Sequence, residues 1–367
     1  MTSEPRKPAA GLTEPPLDLE GGSVELAPRR RRITRGRPER RAAALRLVPF
    51  VDPHQASSIS LLAATLRAAA ARPDVEVVAI VDAGYDPSSS SLERLPRALA
   101  RWGVLRAFNL NTDAVPSVPV QRWTCESLAR RGAIPLLAPG QRGVNDAAFV
   151  ESLRALEPDA ALSLMVGQIF AGPLLAACGT PVNFHDGLLP LYQGVAATAW
   201  SIYEGASRSG FTFHVMTEDV DRGPVLLQGA VELGPDPALW PTERLKTRAA
   251  GSQLGAVLGL LAARAGASRA PTGPESRFTR ADERSIRTVE EPGALTAQEL
   301  SRRLRAFESL DMTLSGERAP VTAVRRVARA HNRRLAFTSA DGVHLEASRI
   351  GHLPPAVRRV TAPLRSA

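Results

Sequence analysis

The chain is short of cysteine, with only Cys125 and Cys178 in 367 residues. The two form no close pair and no metal-ligand spacing, so neither a disulfide framework nor a zinc site is expected. This usage suits a reducing, cytoplasmic setting. The six histidines form no ligand cluster, so no metal is expected to be needed. No run of about 18 uncharged apolar residues occurs, which leaves no candidate membrane span. Residues 1–22 are rich in Pro, Glu and Gly and lack the apolar core of a secretion leader. Internal repeats are absent as well.

What is present is an ordinary globular composition, 44% hydrophobic and 23% charged, in a chain long enough for one to three domains. The net charge of +9 is mostly local. Arg29 to Arg41 holds eight arginines and one glutamate, so it carries +7 of that total. Residues 1–41 read as a disordered basic tail, polar and without apolar periodicity. Such an arginine run suits RNA, an acidic carrier protein or a phosphate surface, or is simply a solvated, disordered tail.

After the tail, strands alternate with helices. Leu45–Val51 reads as a first strand, although Pro49 has no donor for a ladder. Ile59–Ala71 has helical spacing, and Val75–Val81 reads as one buried strand. Helices are expected over Leu92–Trp102, Trp123–Arg131 and Asn145–Leu156, the last capped by Asn145. Strand Ala160–Val166, short helix Pro173–Cys178 and strand Pro181–His185 follow. Helix Thr198–Glu204, strands Phe211–Met216 and Val225–Val231, and long helix Thr242–Arg264 complete a unit over residues 42–267. This alternation predicts an α/β fold with a parallel-rich sheet. Residues 268–274 read as a linker. Residues 275–367 read as a small β-rich module that contains the helix Thr296–Phe307.

In a sheet of this kind ligands bind beyond the carboxyl ends of the strands. Asn183 and His185 stand there, two residues apart and so on one face. An amide can hold a carbonyl oxygen that gains negative charge, and an imidazole exchanges protons near neutral pH. Asp221 lies in the polar loop Glu218–Pro224 between the later strands. A carboxylate at that point can orient the histidine or help to take a proton. Each piece read separately is a strand end or a hairpin connection.

Taken together, Asn183-x-His185, Leu188-Leu189-Pro190, Tyr192-x-Gly194, Thr212-x-His214 and Asp221-x-Gly223 resemble the 10-formyltetrahydrofolate-dependent formyltransferases. The likeness is good from Pro158 to Val231 and weaker back to Leu45. It implies a Rossmann-like formyltransferase domain with 10-formyltetrahydrofolate as co-substrate, and Asn183, His185 and Asp221 as catalytic residues. The same resemblance implies that backbone of Leu164–Gly172, including Met165, Val166, Gly167, Gln168, Ile169 and Phe170, lines the pterin pocket. Leu189 and Pro190 would flank it, and Glu218, Asp219 and Val220 would close the other side.

The acceptor is less legible. Gly187 stands where tRNA-modifying members more often carry Ser, Gln193 stands for an Arg and Thr198 for a Pro. His185-Asp186-x-x-Leu189-Pro190 with Ala197-Thr198-Ala199-Trp200 is similar to formylation domains found with nonribosomal peptide synthetases. The loop Asp219–Gln228 is similar to the glycinamide ribonucleotide members. Leu295–Phe307, with Arg302, Arg305 and Phe307, resembles the C-terminal module of methionyl-tRNA and sugar-nucleotide formyltransferases. The expected acceptor is a small-molecule or carrier-bound amine, with initiator tRNA second. Alternatives are a formyltetrahydrofolate hydrolase and a non-catalytic folate-binding protein.

Overall fold

A computed structural model of the chain describes residues 44–84, 124–264, 270–328 and 335–348. The expected tail over residues 1–41 and the helix expected over Leu92–Trp102 lie outside them.

The central sheet is built from β1 (Leu45–Val51), β2 (Val75–Val77), β3 (Ile80–Asp82), β4 (Leu136–Leu137), β5 (Ala160–Leu164), β6 (Thr180–His185), β8 (Arg208–Val215) and β9 (Val225–Glu232). Its order is β4-β3-β1-β5-β6-β8-β9, with β2 beside β1. Every pairing up to β6 is parallel, whereas β8 runs antiparallel to β6, and β9 to β8. Helices α1 (Ala56–Ala70), α2 (Cys125–Arg131) and α6 (Leu239–Ala262) cover one face, and α3 (Ala147–Ala155) and α4 (Gly172–Ala177) cover the other.

The strand residues divide accordingly. Leu47, Leu162 and Leu164 pack with Leu62, Leu128, Leu254 and Leu258, while Val48, Phe50 and Ala161 pack with Phe149, Leu153 and Leu174. A strand buried on both faces needs apolar residues at consecutive positions, which is why β1 reads as a continuous run rather than an alternation.

Two local expectations are corrected. Val75–Val81 is two short strands, not one, broken at Val78 and Ala79. That break explains how Pro49 sits in a central strand. The carbonyls of Leu47 and Val51 accept from Val78 and Ala83, so Pro49, between them, presents its donorless nitrogen to the interrupted edge. Nor is Asn145 the cap of α3. Asp146 caps it, accepting from the N–H groups of Ala148 and Phe149. The Asn145 side chain instead donates to the Ile169 carbonyl at 2.8 Å and accepts from the Ala171 N–H at 2.9 Å.

The chain leaves the sheet and returns to it. Between β6 and α5 (Ala197–Tyr203), the loop contains β7 (Gln193–Gly194), which pairs in parallel with β10 (Arg277–Phe278). Beyond β10 come α7 (Arg280–Arg287), β11 (Thr288–Val289) and α8 (Ala297–Phe307), then β12 (Leu310–Leu314) and β13 (Glu317–Val321). β11, β12 and β13 form one small sheet. β14 (Ala323–Arg326), β15 (Ala336–Thr338) and β16 (His344–Ser348) form another. Leu300, Leu310, Met312 and Leu345 form the separate core of this β-rich region. Among the described residues, no helix is long and apolar enough to cross a membrane.

Candidate active site

The polar centre lies where the sheet changes from parallel to antiparallel. β6 ends at His185, and β8 runs back beside it with His214 directly opposite Asn183 and Thr212 opposite His185. Asn183 and His185 therefore share a face, and the reversal adds His214 to it. Asp221 comes over from the β8–β9 loop. Its φ of +59° is in the left-handed region, as are those of Met165, Tyr192 and Ala196 nearby, at +60°, +60° and +57°. Non-glycine residues held there mark places where the surrounding structure dictates the backbone. Gly223 makes the loop feasible, because a Cβ at that position would lie 1.7 Å from the Val215 carbonyl oxygen.

Asp221 is buried and sits between two imidazoles. Oδ2 lies 3.6 Å from Nδ1 of His185, and Oδ1 lies 3.5 Å from Nε2 of His214. Oδ2 also accepts the Gly194 N–H at 2.7 Å. Burial pushes this carboxyl up. The hydrogen bond from His214, the charge of His185 and the Gly194 N–H more than offset that, and hold it below the usual carboxylate range. Asp221 is therefore an anion at neutral pH.

The histidine partners fix where the ring protons sit. Nε2 of His185 lies 2.8 Å from the Tyr192 carbonyl oxygen, which can only accept, so Nε2 carries a proton and Nδ1 faces Asp221. His214 Nδ1 likewise donates to the Val215 carbonyl at 3.1 Å. Its Nε2 faces Asn183 Nδ2 at 3.3 Å, accepting from the amide when neutral and turning a proton to Asp221 when charged.

The loop that supplies these partners is held from outside. Tyr192 N–H donates to Ser276 Oγ at 2.8 Å, Gln193 N–H to the Ser276 carbonyl at 2.9 Å, and Val195 N–H to the Phe278 carbonyl at 3.1 Å. Phe278 stacks on Trp200 with ring centres 4.0 Å apart, and Phe307 meets Trp200 edge-on at 5.2 Å. The C-terminal region thus clamps the segment that contacts both His185 and Asp221.

The segments expected to line the pterin pocket come together in part. A Cβ on Gly172 would lie 2.8 Å from Glu218 Oε1, so the 164–172 segment and the 218–221 loop touch. Met165 offers its carbonyl to Gln55 Nε2 at 3.1 Å, Gly167 has open space where a Cβ would be, and Ile169 is 68% exposed. Val166 and Phe170 pack into the core, Phe170 against Phe50. Gln168 spends its side chain on the Val144 N–H and the Ala83 carbonyl. Leu189 and Pro190 are buried; the Leu189 N–H donates to Thr212 Oγ1 and its carbonyl accepts from Gln228 Nε2. Glu218 and Asp219 are exposed and Val220 is half-buried.

Reading the sequence left His214 out of the catalytic set, although the antiparallel partner strand places it level with Asn183. It also missed a buried charged group behind His185. Lys246 of α6, 1% exposed, donates to the Asp186 carbonyl and to Thr198 Oγ1. Thr198 Oγ1 in turn donates to Asp186 Oδ2 at 2.9 Å. No sequence pattern announces a lone lysine on a long helix as buried. Among the described residues, no group of acidic, histidine or cysteine side chains could hold a metal ion.

A doubly covered, mostly parallel sheet with amide, imidazole and carboxylate groups at the end of its last parallel strand defines an α/β enzyme-type site. Residues 119–250 match the family model described as Formyl transferase. The methionyl-tRNA formyltransferase of Anaeromyxobacter dehalogenans is 39% identical over 109 residues, 29% of this chain and 34% of that protein. The match thus spans about a third of the length of this curated relative. In fold, the chain is similar to a 4-N formyltransferase from Francisella tularensis, with a TM-score of 0.54, 15% identity, and 76% of this chain and 97% of that one covered. It is also similar to an N-formyltransferase from Helicobacter canadensis, in complex with folinic acid and dTDP-3-aminofucose. There the TM-score is 0.50 and the identity 14%, with 83% of this chain and 99% of that one covered.

Proposed function

We propose that the chain transfers a formyl group from 10-formyltetrahydrofolate to the amine of a small-molecule or carrier-bound acceptor. The observation that carries this reading is the buried Asp221 carboxylate between His185 and His214, with Asn183 beside them at the end of β6. The acceptor nitrogen bonds to the formyl carbon, and the carbonyl oxygen gains negative charge. Asn183 offers the amide N–H that His214 does not take, and His185 can turn its Nε2–H from the Tyr192 carbonyl to that oxygen. The bond from the formyl carbon to the folate nitrogen then breaks, and one proton passes from the acceptor nitrogen to the leaving nitrogen. Asp221, kept anionic, holds the imidazole through this exchange and assists the transfer.

Binding of a folate analogue and an amino-sugar nucleotide by the Helicobacter canadensis protein supports the class of donor and a small-molecule acceptor. The identity to methionyl-tRNA formyltransferases supports the second reading, the amine of an aminoacylated initiator tRNA.

The test is absorbance-monitored conversion of 10-formyltetrahydrofolate to tetrahydrofolate against a panel of amines. The panel holds amino-sugar nucleotides, hydroxyornithine, glycinamide ribonucleotide, carrier-bound amino acids and methionyl initiator tRNA. Turnover with one small-molecule or carrier-bound amine supports the proposal, and turnover with tRNA alone supports the second reading. Formate release without an acceptor points to a hydrolase. Folate binding with no turnover on any amine points to a binding protein.

A further inference from the structure

Behind the strand end lies a charged group that the proposed chemistry does not use. Lys246 projects from α6 into the turn that follows β6, and its ammonium holds the Asp186 carbonyl and Thr198 Oγ1. The Asp186 carboxylate lies 3.9 Å from that ammonium and accepts from Thr198 at 2.9 Å. Asp186 is the residue next to His185, and the same turn brings Gly187 under the imidazole. A Cβ at Gly187 would lie 2.8 Å from His185 Nε2 and 2.9 Å from the Ala197 Cβ. The position of the His185 ring therefore depends on the path of residues 186–187, and Lys246 fixes that path at its first carbonyl.

Charge makes a second connection. A fully buried ammonium is costly unless paired, and a carboxylate beside it in a poorly solvated turn is the natural partner. Asp186 is held below the usual range. Burial pushes it up, but Lys246, then His185, then the Thr198 hydroxyl pull it further down. The groups facing this corner are Asp186 and His185 on β6 and the turn after it, Thr198 on α5, Lys246 and Glu243 on α6, and, across the imidazole, Asp221 and His214.

We propose that Lys246 is a positioning residue for His185: it anchors the Asp186–Gly187 turn and cancels the Asp186 charge, so that the imidazole answers to Asp221. For its catalytic meaning this rests on the reading of His185 given above, but the electrostatic claim stands apart from that reading.

The test is a pH titration of the ligand-free full chain by NMR with labelled histidine, taking His185 from the change its own substitution makes in the spectrum. Lys246→Met leaves the Asp186 charge uncancelled and moves the His185 midpoint up, since an unpaired negative charge favours the imidazolium. Asp186→Asn leaves the lysine uncancelled and moves the midpoint down. The double variant, Asp186→Asn with Lys246→Met, returns it near its original value. If Lys246→Met does not fold, Asp186→Asn and the double variant carry the test alone. Midpoints that agree across every folded variant overturn the proposal. No substrate is needed, so failure of the formyl-transfer reading would show in the turnover panel and leave this result intact.

Discussion

Substituting Gly194 by alanine probes the clamp on the active-site loop at its tightest point. Gly194 has φ +93°, and a Cβ there would lie 2.1 Å from the Phe278 carbonyl oxygen. That oxygen is backbone and already accepts from Val195, while the adjoining Ser276 carbonyl accepts from Gln193. It cannot yield without parting β7 from β10. Losing two such bonds costs about 2 kcal/mol, and a left-handed alanine adds about 1–2 kcal/mol. Gly205 is the matched control: its φ is +72°, but nothing lies within 4 Å of where its Cβ would be, so only the backbone cost remains. The two variants should therefore differ by about 2 kcal/mol, or roughly 4–8 °C in Tm. They should also differ in function, since the Gly194 N–H donates to Asp221 at 2.7 Å. A hydrogen bond to a charged acceptor contributes about 1.5–3 kcal/mol, so turnover by Gly194→Ala should fall on the order of 10- to 100-fold. Differential scanning calorimetry and the folate absorbance assay measure both effects. If the two variants melt together and turn over alike, the clamp does not organise the site.

Other outcomes follow from the same geometry. His185→Ala and Asp221→Asn should each lose on the order of 10²-fold or more in turnover with unchanged circular dichroism; near-normal rates would remove both from the catalytic set. Asn145→Ala should raise the KM for the folate several-fold with little change in kcat, because it frees the Ile169–Ala171 backbone. Asp146→Ala, one residue on, should instead cost about 1 kcal/mol of stability as a lost helix cap, read by denaturant titration. Glu243 is pushed up to about 7 by burial and by the Asp186 charge, against the pull of Lys246. A carboxyl raised on folding contributes fully below its unfolded value, and that contribution is lost as pH rises through 7. Glu243→Gln should thus be stabilised relative to the parent by roughly 1–3 kcal/mol at pH 8 and not at pH 4. Denaturation curves at both values decide it, and equal differences at the two would refute it.

Most of the sheet could be read directly because its strands are buried on both faces and so are continuous apolar runs. Leu45–Val51 and Ala160–Leu164 are of this kind. What the sequence obscured were choices between neighbours of similar chemistry. Asn145 and Asp146 are both good caps, and only the distance to the Ile169–Ala171 loop assigns one to the helix and the other to the loop. Val75–Val81 has no local signal for a break, because the break answers to Pro49 on another strand. Lys246 was invisible for a further reason. Its helix reads as amphipathic with charged residues outside, and the carbonyl and hydroxyl that hold the ammonium come from residues 60 and 48 positions away.

The placement of Asn183, His185 and Asp221 also shows why the polar residues fall where they do. Through β5 and β6 the strands are parallel, and each ladder brings together residues pointing the same way along the sheet. A parallel neighbour to β6 would have met it with another strand end and another outgoing loop. The antiparallel β8 instead sets its interior, Thr212 and His214, against the end of β6. The loop after it starts opposite Pro181 and Val182 and comes back over the end of β6, which places Asp221 beside His185. Gly223 lets the loop turn tightly under the Val215 carbonyl, and the β8–β9 register slips at Phe213/His214 beside it. Reversal of one strand thus converts a strand end with two polar side chains into a buried centre with four, and the C-terminal clamp on Gly194 fixes the last of them in place.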